Sequence, residues 1–93
     1  MEFVWDEAKA EANQNKHGVS FAEAMTVFAD PLALTGYDPD HSSGEDRYIT
    51  MGGSADGRLL VISHTDRGEK IRIISARSAN RAERKDYEDG NFP

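Results

Sequence analysis

Arg58 to Ala76 reads RLLVISHTDRGEKIRIISA, two apolar runs of period two joined by the four-residue turn DRGE. Alternation at that period sends successive side chains to opposite faces of a strand, so the stretch predicts a β-hairpin. Upstream, RYITMGGS (47–54) is a further run of this kind, and Ala55-Asp56-Gly57 carries the Asp-Gly pair of a tight hairpin turn. LALTGY (32–37) is a fourth strand, set off by the polar loop DPDHSSGED, which has no core-forming residue. Four strands with turn-length links make an antiparallel meander. Downstream, SANRAERKDYEDG (78–90) predicts a closing helix with Gly90 as its stop.

The first thirty residues follow a different period. EFVW predicts a short strand, and Asp6 is a good N-cap for a helix running to His17, with Glu7 in the first turn and an alanine stripe at Ala8 and Ala12. Gly18 is the left-handed stop, and Lys16 and His17 sit where cations suit the last carbonyls. Ser20 to Glu23 reads S-x-x-E, a capping box, followed by Phe21, Ala24, Met25 and Phe28 at amphipathic spacing. Asp30-Pro31 ends that helix. The expected fold is therefore α+β in the order β-α-α-β-β-β-β-α, a twisted antiparallel sheet with helices at both ends.

The 93 residues are 38% apolar and 30% charged, which fits one globular domain over 1–93, with 89–93 a frayed tail. No cysteine is present, so a disulfide framework and a thiolate metal site are both excluded. No apolar run is long enough to span a membrane and no secretory pattern opens the chain, so a cytoplasmic location is expected. The net charge of -6 opposes nucleic-acid binding, but its distribution is uneven. Up to Asp46 there are two lysines and ten acids; from Arg47 onward there are nine basic and seven acidic residues. The positive charge belongs to whatever the second half builds.

In KIRIISAR, uniform alternation puts Ile71, Ile73 and Ser75 on one face and Arg72, Ile74 and Ala76 on the other. Arg77 lies at the strand end, before a helix carrying Arg81 and Arg84. An arginine on an uncovered sheet face presents a rigid fork of donors to phosphate; alternatively Arg72 pairs with Glu69 or Asp66 and does nothing further. Arg58, beside the hairpin turn, is the surface bystander of the set. His17, His41 and His64 are the proton-transfer candidates, each also readable as an ordinary cap or surface residue. His41 falls in a loop expected to be mobile. No H-x-x-x-H or H-E-x-x-H spacing exists for zinc, and no Walker loop, G-x-G-x-x-G or nucleophile elbow occurs. The glycines of MGGSADG read as a bulge and a hairpin turn rather than a phosphate cradle.

FVWDEAKAEANQNKHGVSFAEAMTVFAD (3–30), SGEDRY (43–48) and IRIISARSANRAERKDYE (71–88) together resemble the BrnT toxins of bacterial type II toxin–antitoxin systems, over nearly the whole chain. The resemblance implies a RelE-like fold and an endoribonuclease that inhibits translation. It also implies a BrnA-like antitoxin partner with a ribbon-helix-helix part, through which alone the complex reaches operator DNA. Metal-independent RNA cleavage needs a base, an acid and cations around the phosphate. Of the residues at family-like motif positions, His17, Arg47, Arg72 and Arg77 are the catalytic candidates, and Lys16, with Arg81 and Arg84 of the closing helix, the RNA-binding ones; no cofactor or metal is expected. His64 lies outside the motifs. The rival readings are a non-catalytic interaction module and a degenerate toxin surviving as corepressor.

Overall fold

Asp6 accepts a hydrogen bond from the Lys9 amide at 3.0 Å and starts α1 (Glu7–His17) directly after β1 (Glu2–Val4). Gly18 ends α1 with φ 68°, and Ser20 caps α2 (Phe21–Thr26), which tightens into a 3-10 turn at Val27–Ala29. Then follow β2 (Leu34–Tyr37), β3 (Arg47–Gly53), β4 (Leu59–Arg67), β5 (Lys70–Ser78) and α3 (Arg81–Asp89). This computed structural model describes residues 1–91.

The fold is α+β, but the sheet is mixed rather than antiparallel. Its strand order is β1-β5-β4-β3-β2, and β1 runs parallel to β5 with Phe3 beside Ile71. Alternation in EFVW specifies a strand without specifying its neighbour. Here α1 and the helical turns carry the chain across one face and leave β1 beside the last strand.

That face holds the larger core. Val19, Phe21, Ala24 and Val27 pack on Leu60, Ile62, Ile73 and Ala76, all at most 2% exposed. The 3-10 turn brings in Val27, while Met25, expected in the stripe, is 37% exposed. In α1 the expected contacts Ala8 and Ala12 are exposed, and the helix meets the sheet through Ala10 and Asn13. Asn13 Nδ2 donates to the carbonyls of Ala76 (2.8 Å) and Val19 (3.0 Å), and its Oδ1 accepts from the Ala76 amide at 3.1 Å. One side-chain amide thus satisfies both backbone groups of Ala76, as a neighbouring strand would.

Uniform alternation fails in β5. Ser63 opposes Ser75 but His64 opposes Ile73, so Ile74 is an extra residue in the ladder, a β-bulge. Beyond it the faces exchange. Ile71, Ile73 and Ala76 are the buried ones, while Ser75 joins Arg72 and Arg77 on the opposite side. By contrast β3 pairs with β4 without interruption from Arg47 to Gly53, so the expected glycine bulge is absent. Gly52 serves close approach instead: a Cβ there would lie 3.0 Å from both Val27 Cγ1 and Ala33 Cβ.

On the second face, Met51, Leu59 and Val61 form a smaller cluster closed by Leu34, Ile49, Ala79 and Tyr87, so α3 covers only part of it. Asn80 and Glu83 form a reciprocal capping box. The box expected at Ser20 is only half made, because the Glu23 carboxylate goes to Arg58 and Ser54. Arg58 also donates to the Gly18 carbonyl at 3.1 Å, so it holds hairpin to helix and is no bystander. Tyr87 O–H donates to Asp30 at 2.6 Å. The tail expected to fray from 89 begins later: Asp89 closes α3, Gly90 caps it at φ 73°, and the Asn91 amide donates to Asp86 O at 2.8 Å. Residues 92–93 lie outside the described residues.

Candidate active site

The part of the second face that α3 leaves open is floored by β3, β4 and β5 and carries arginine from each. Strand register sets Arg47, Thr65 and Arg72 side by side, with Arg67 two residues beyond Thr65 and Arg77 opposite Val61. Arg47 and Arg72 form no ion pair among the described residues. The expected alternative partners of Arg72 are not used, since Asp66 turns to His64 on the other face. Arg67 Nε donates to Glu45 at 2.6 Å. That bond, with the fields of Arg72 and Arg47, holds the Glu45 carboxyl below its ordinary range.

Arg77 is held differently. Its two terminal nitrogens donate to the two Glu83 oxygens at 2.7 and 2.8 Å, a bidentate fork that also keeps Glu83 ionised. The fork fixes the guanidinium and offsets part of its charge.

Between Arg47 and Arg77 lies a cleft of about 290 Å³ lined by Asp38, His41, Ser63 and Ser75, with Ile49 and Val61 at its floor. His41 Nδ1 is 2.8 Å from Asp38 Oδ2, and the Asp38 side chain is 12% exposed against 65% for His41. A carboxylate can only accept, so Nδ1 carries the hydrogen and Nε2 is left to take one. The loop expected to be mobile is tied down. Ser42 Oγ donates to Asp38 O at 2.6 Å and accepts from the Arg47 amide at 2.9 Å, while the Asp38 amide donates to Arg47 O at 2.9 Å.

The remaining expected site residues are elsewhere. Lys16 and His17 end α1, exposed, on the helix that packs against the opposite face. No hydrogen bond or ion pair joins them to Arg47, Arg72 or Arg77 among the described residues. Arg81 and Arg84 are exposed on α3, along an outer groove shared with Lys85 and Glu88. His64 is 1% exposed on the core face, with Nδ1 2.7 Å from Asp66, Nε2 2.8 Å from Thr50, and Phe28 and Tyr48 against its ring. Sequence reasoning missed the Asp38–His41 pair, Ser63, Thr65, Arg67 and Ser75. The D-x-x-H spacing was a usable signal for the first; Ser75 had none, because the bulge sets its face, while Ser63 and Thr65 share by alternation the face of Val61 and lacked only a signal that this face stays open.

A sequence model described as "Ribonuclease toxin, BrnT, of type II toxin-antitoxin system" matches residues 5–83. The chain belongs to the BrnT family. Among solved structures, this BrnT-family chain is similar to the Brucella abortus ribonuclease toxin BrnT, at TM-score 0.63 and 25% identity over 87% of this chain and 99% of that one. No curated protein matches the chain by sequence. Membership makes it a ribonuclease toxin of a type II system, which works opposite an antitoxin. The matched span of the BrnT-family chain contains the whole cleft, Asp38 to Arg77 with Glu83; Arg84 falls just beyond it.

Proposed function

We propose that this toxin is a metal-independent endoribonuclease whose chemistry takes place in the cleft between Arg47 and Arg77. The observation that carries the reading is a carboxylate-oriented imidazole, His41, facing two guanidinium groups across an open sheet face. His41 Nε2 takes the proton of the attacking 2′-hydroxyl, the O2′–P bond forms, and the P–O5′ bond breaks with the leaving oxygen protonated from solvent. Arg47 and Arg77 stabilise the extra negative charge on the phosphate as it develops. His41 thereby stands as the catalytic histidine in place of the candidate His17, which is exposed at the end of α1. Among the described residues no three His, Asp or Glu side chains converge to hold an ion, and the mechanism asks for none.

The same reading makes the fold RelE-like and the location cytoplasmic. It has the toxin inhibit translation by cutting RNA, and has a BrnA-like ribbon-helix-helix antitoxin cover the arginine face and carry the complex to operator DNA. Purified protein with RNA in excess chelator tests the chemistry. Cleavage should persist there and fall at least a hundredfold in His41→Asn, the usual scale for a lost general base. Activity lost in chelator and restored by one divalent ion, or an undiminished His41→Asn, refutes the mechanism.

A further inference from the structure

One polar group on the open face has been left without a partner by the rest of the fold. Thr65 is 1% exposed and its Oγ1 makes no hydrogen bond. Valine would fill the same volume without an unmet hydroxyl, so the fold alone gives no reason for threonine. Register sets Thr65 between Arg47 and Arg72. Arg67 and Arg72 line a further cleft of about 320 Å³ against Val4, Trp5 and Asp6, whose carboxylate is engaged in capping α1. Glu45 feels Arg67, Arg72 and Arg47 together, so three guanidinium groups gather about one space, and Thr65 lies beneath them on the sheet with its Oγ1 covered until those side chains part. Glu45, bound to Arg67, is the carboxylate that answers them from the loop.

We propose that Arg47, Thr65, Arg67 and Arg72 form a second phosphate subsite, which takes the backbone phosphate adjoining the one cleaved, and that Glu45 occupies it until RNA displaces the carboxylate. The proposal rests on the ribonuclease reading. Arg47 belongs to both sites, and Ser63 and Thr65 mark them along one strand. Two strand steps separate those residues by about 6.7 Å, a stride that neighbouring phosphates of an extended single strand can match. A phosphodiester has oxygens for both a guanidinium fork and a hydroxyl, and it supplies the acceptor that Thr65 lacks. The ion pair of Glu45 with Arg67, both about half exposed, is weak enough to exchange.

The test uses a 2′-O-methyl RNA oligonucleotide, whose attacking hydroxyl is blocked, with binding read by fluorescence anisotropy and folding by the thermal midpoint. Thr65→Val should weaken binding roughly tenfold, the worth of one hydrogen bond to a charged group, while its midpoint rises. Thr65→Ser should bind as the parent does. Glu45→Gln should bind several-fold tighter, and by more than Asp56→Asn, an equal charge change at the far hairpin. Thr65→Val that binds normally, or that loses affinity together with midpoint, overturns the subsite. If the parent still cleaves unmodified RNA in that case, the ribonuclease reading stands without it; if the parent neither binds nor cleaves, both fall. Weakened antitoxin inhibition with unchanged RNA binding would likewise overturn it, by assigning the site to a protein carboxylate.

Discussion

At the scale of single residues, Arg72 and Arg77 sit on the same face but are held so differently that their alanine variants should part company. Arg72 has no ion pair to lose and serves the adjoining phosphate, so Arg72→Ala should weaken RNA binding about tenfold with the thermal midpoint nearly unchanged. Arg77→Ala should lose about a hundredfold in cleavage and also about 1 kcal/mol of stability, because it removes a donor at the reacting phosphate and breaks the half-exposed fork to Glu83. Lys9→Ala, on the exposed side of α1, is the proper control, since Arg58 ties the hairpin to α1 and α2. His64 makes a prediction in pH. Burial pushes its imidazole below the ordinary value, and the Asp66 bond opposes this only in part. As pH falls through about 6.5 the unfolded chain takes the proton before the folded one, so stability is full above that value and declines below it. Denaturant midpoints at about pH 7.5 and about pH 5.5 should differ in the parent and differ less in His64→Gln. The sequence named three of the open-face arginines, because the type and motif position of a residue are visible in one dimension. It offered His41 only as one of three histidines and did not name Thr65, because the significance of both comes from what lies across the sheet.

At the scale of elements, Asn13 decides how α1 sits. It is the one fully buried side chain of that helix and its three hydrogen bonds reach both Val19 and Ala76. Asn13→Ala leaves buried backbone groups of β5 unpaired, which should cost about 2–4 kcal/mol in chemical denaturation, whereas Asn15→Ala, exposed one turn-step away, should cost almost nothing. A midpoint unchanged by Asn13→Ala would show that water replaces the amide freely. The strands, the helices and their caps at Asp6, Gly18, Ser20 and Gly90 could be read from the chain because alternation and capping are local chemistry. The parallel seat of β1, the contact face of α1 and the extra residue in β5 could not, since each is chosen by a partner distant in sequence. The amphipathic spacing that favoured Met25 over Val27 failed for a related reason: the helix tightens in its last turn and rotates its stripe.

At the scale of the whole molecule, a net charge of -6 coexists with a face on which Arg47, Arg67, Arg72 and Arg77 gather. Under the proposal that the antitoxin covers this face, such separation of charge draws an acidic antitoxin surface to one side only. Its association with this toxin should slow steeply as salt rises while dissociation changes little, measured by stopped-flow mixing; equal rates at low and high salt would exclude arginine-face docking. The layout also makes α3 a lid over half of that face, latched to the N-terminal half by Tyr87 on Asp30. The bulge at Ile74 has a consequence of a genetic kind. Loss of its codon would remove the one residue that has no partner across the ladder, leaving His64 against Ile73 and Ser63 against Ser75, so Ser75 and Arg77 would keep the cleft and Ala76 the core. At this position the toxin can absorb a one-residue deletion, whereas the same deletion in the evenly paired β3 would send every residue beyond it to the other face, and an alignment that places its gap at Ile74 keeps core against core and cleft against cleft.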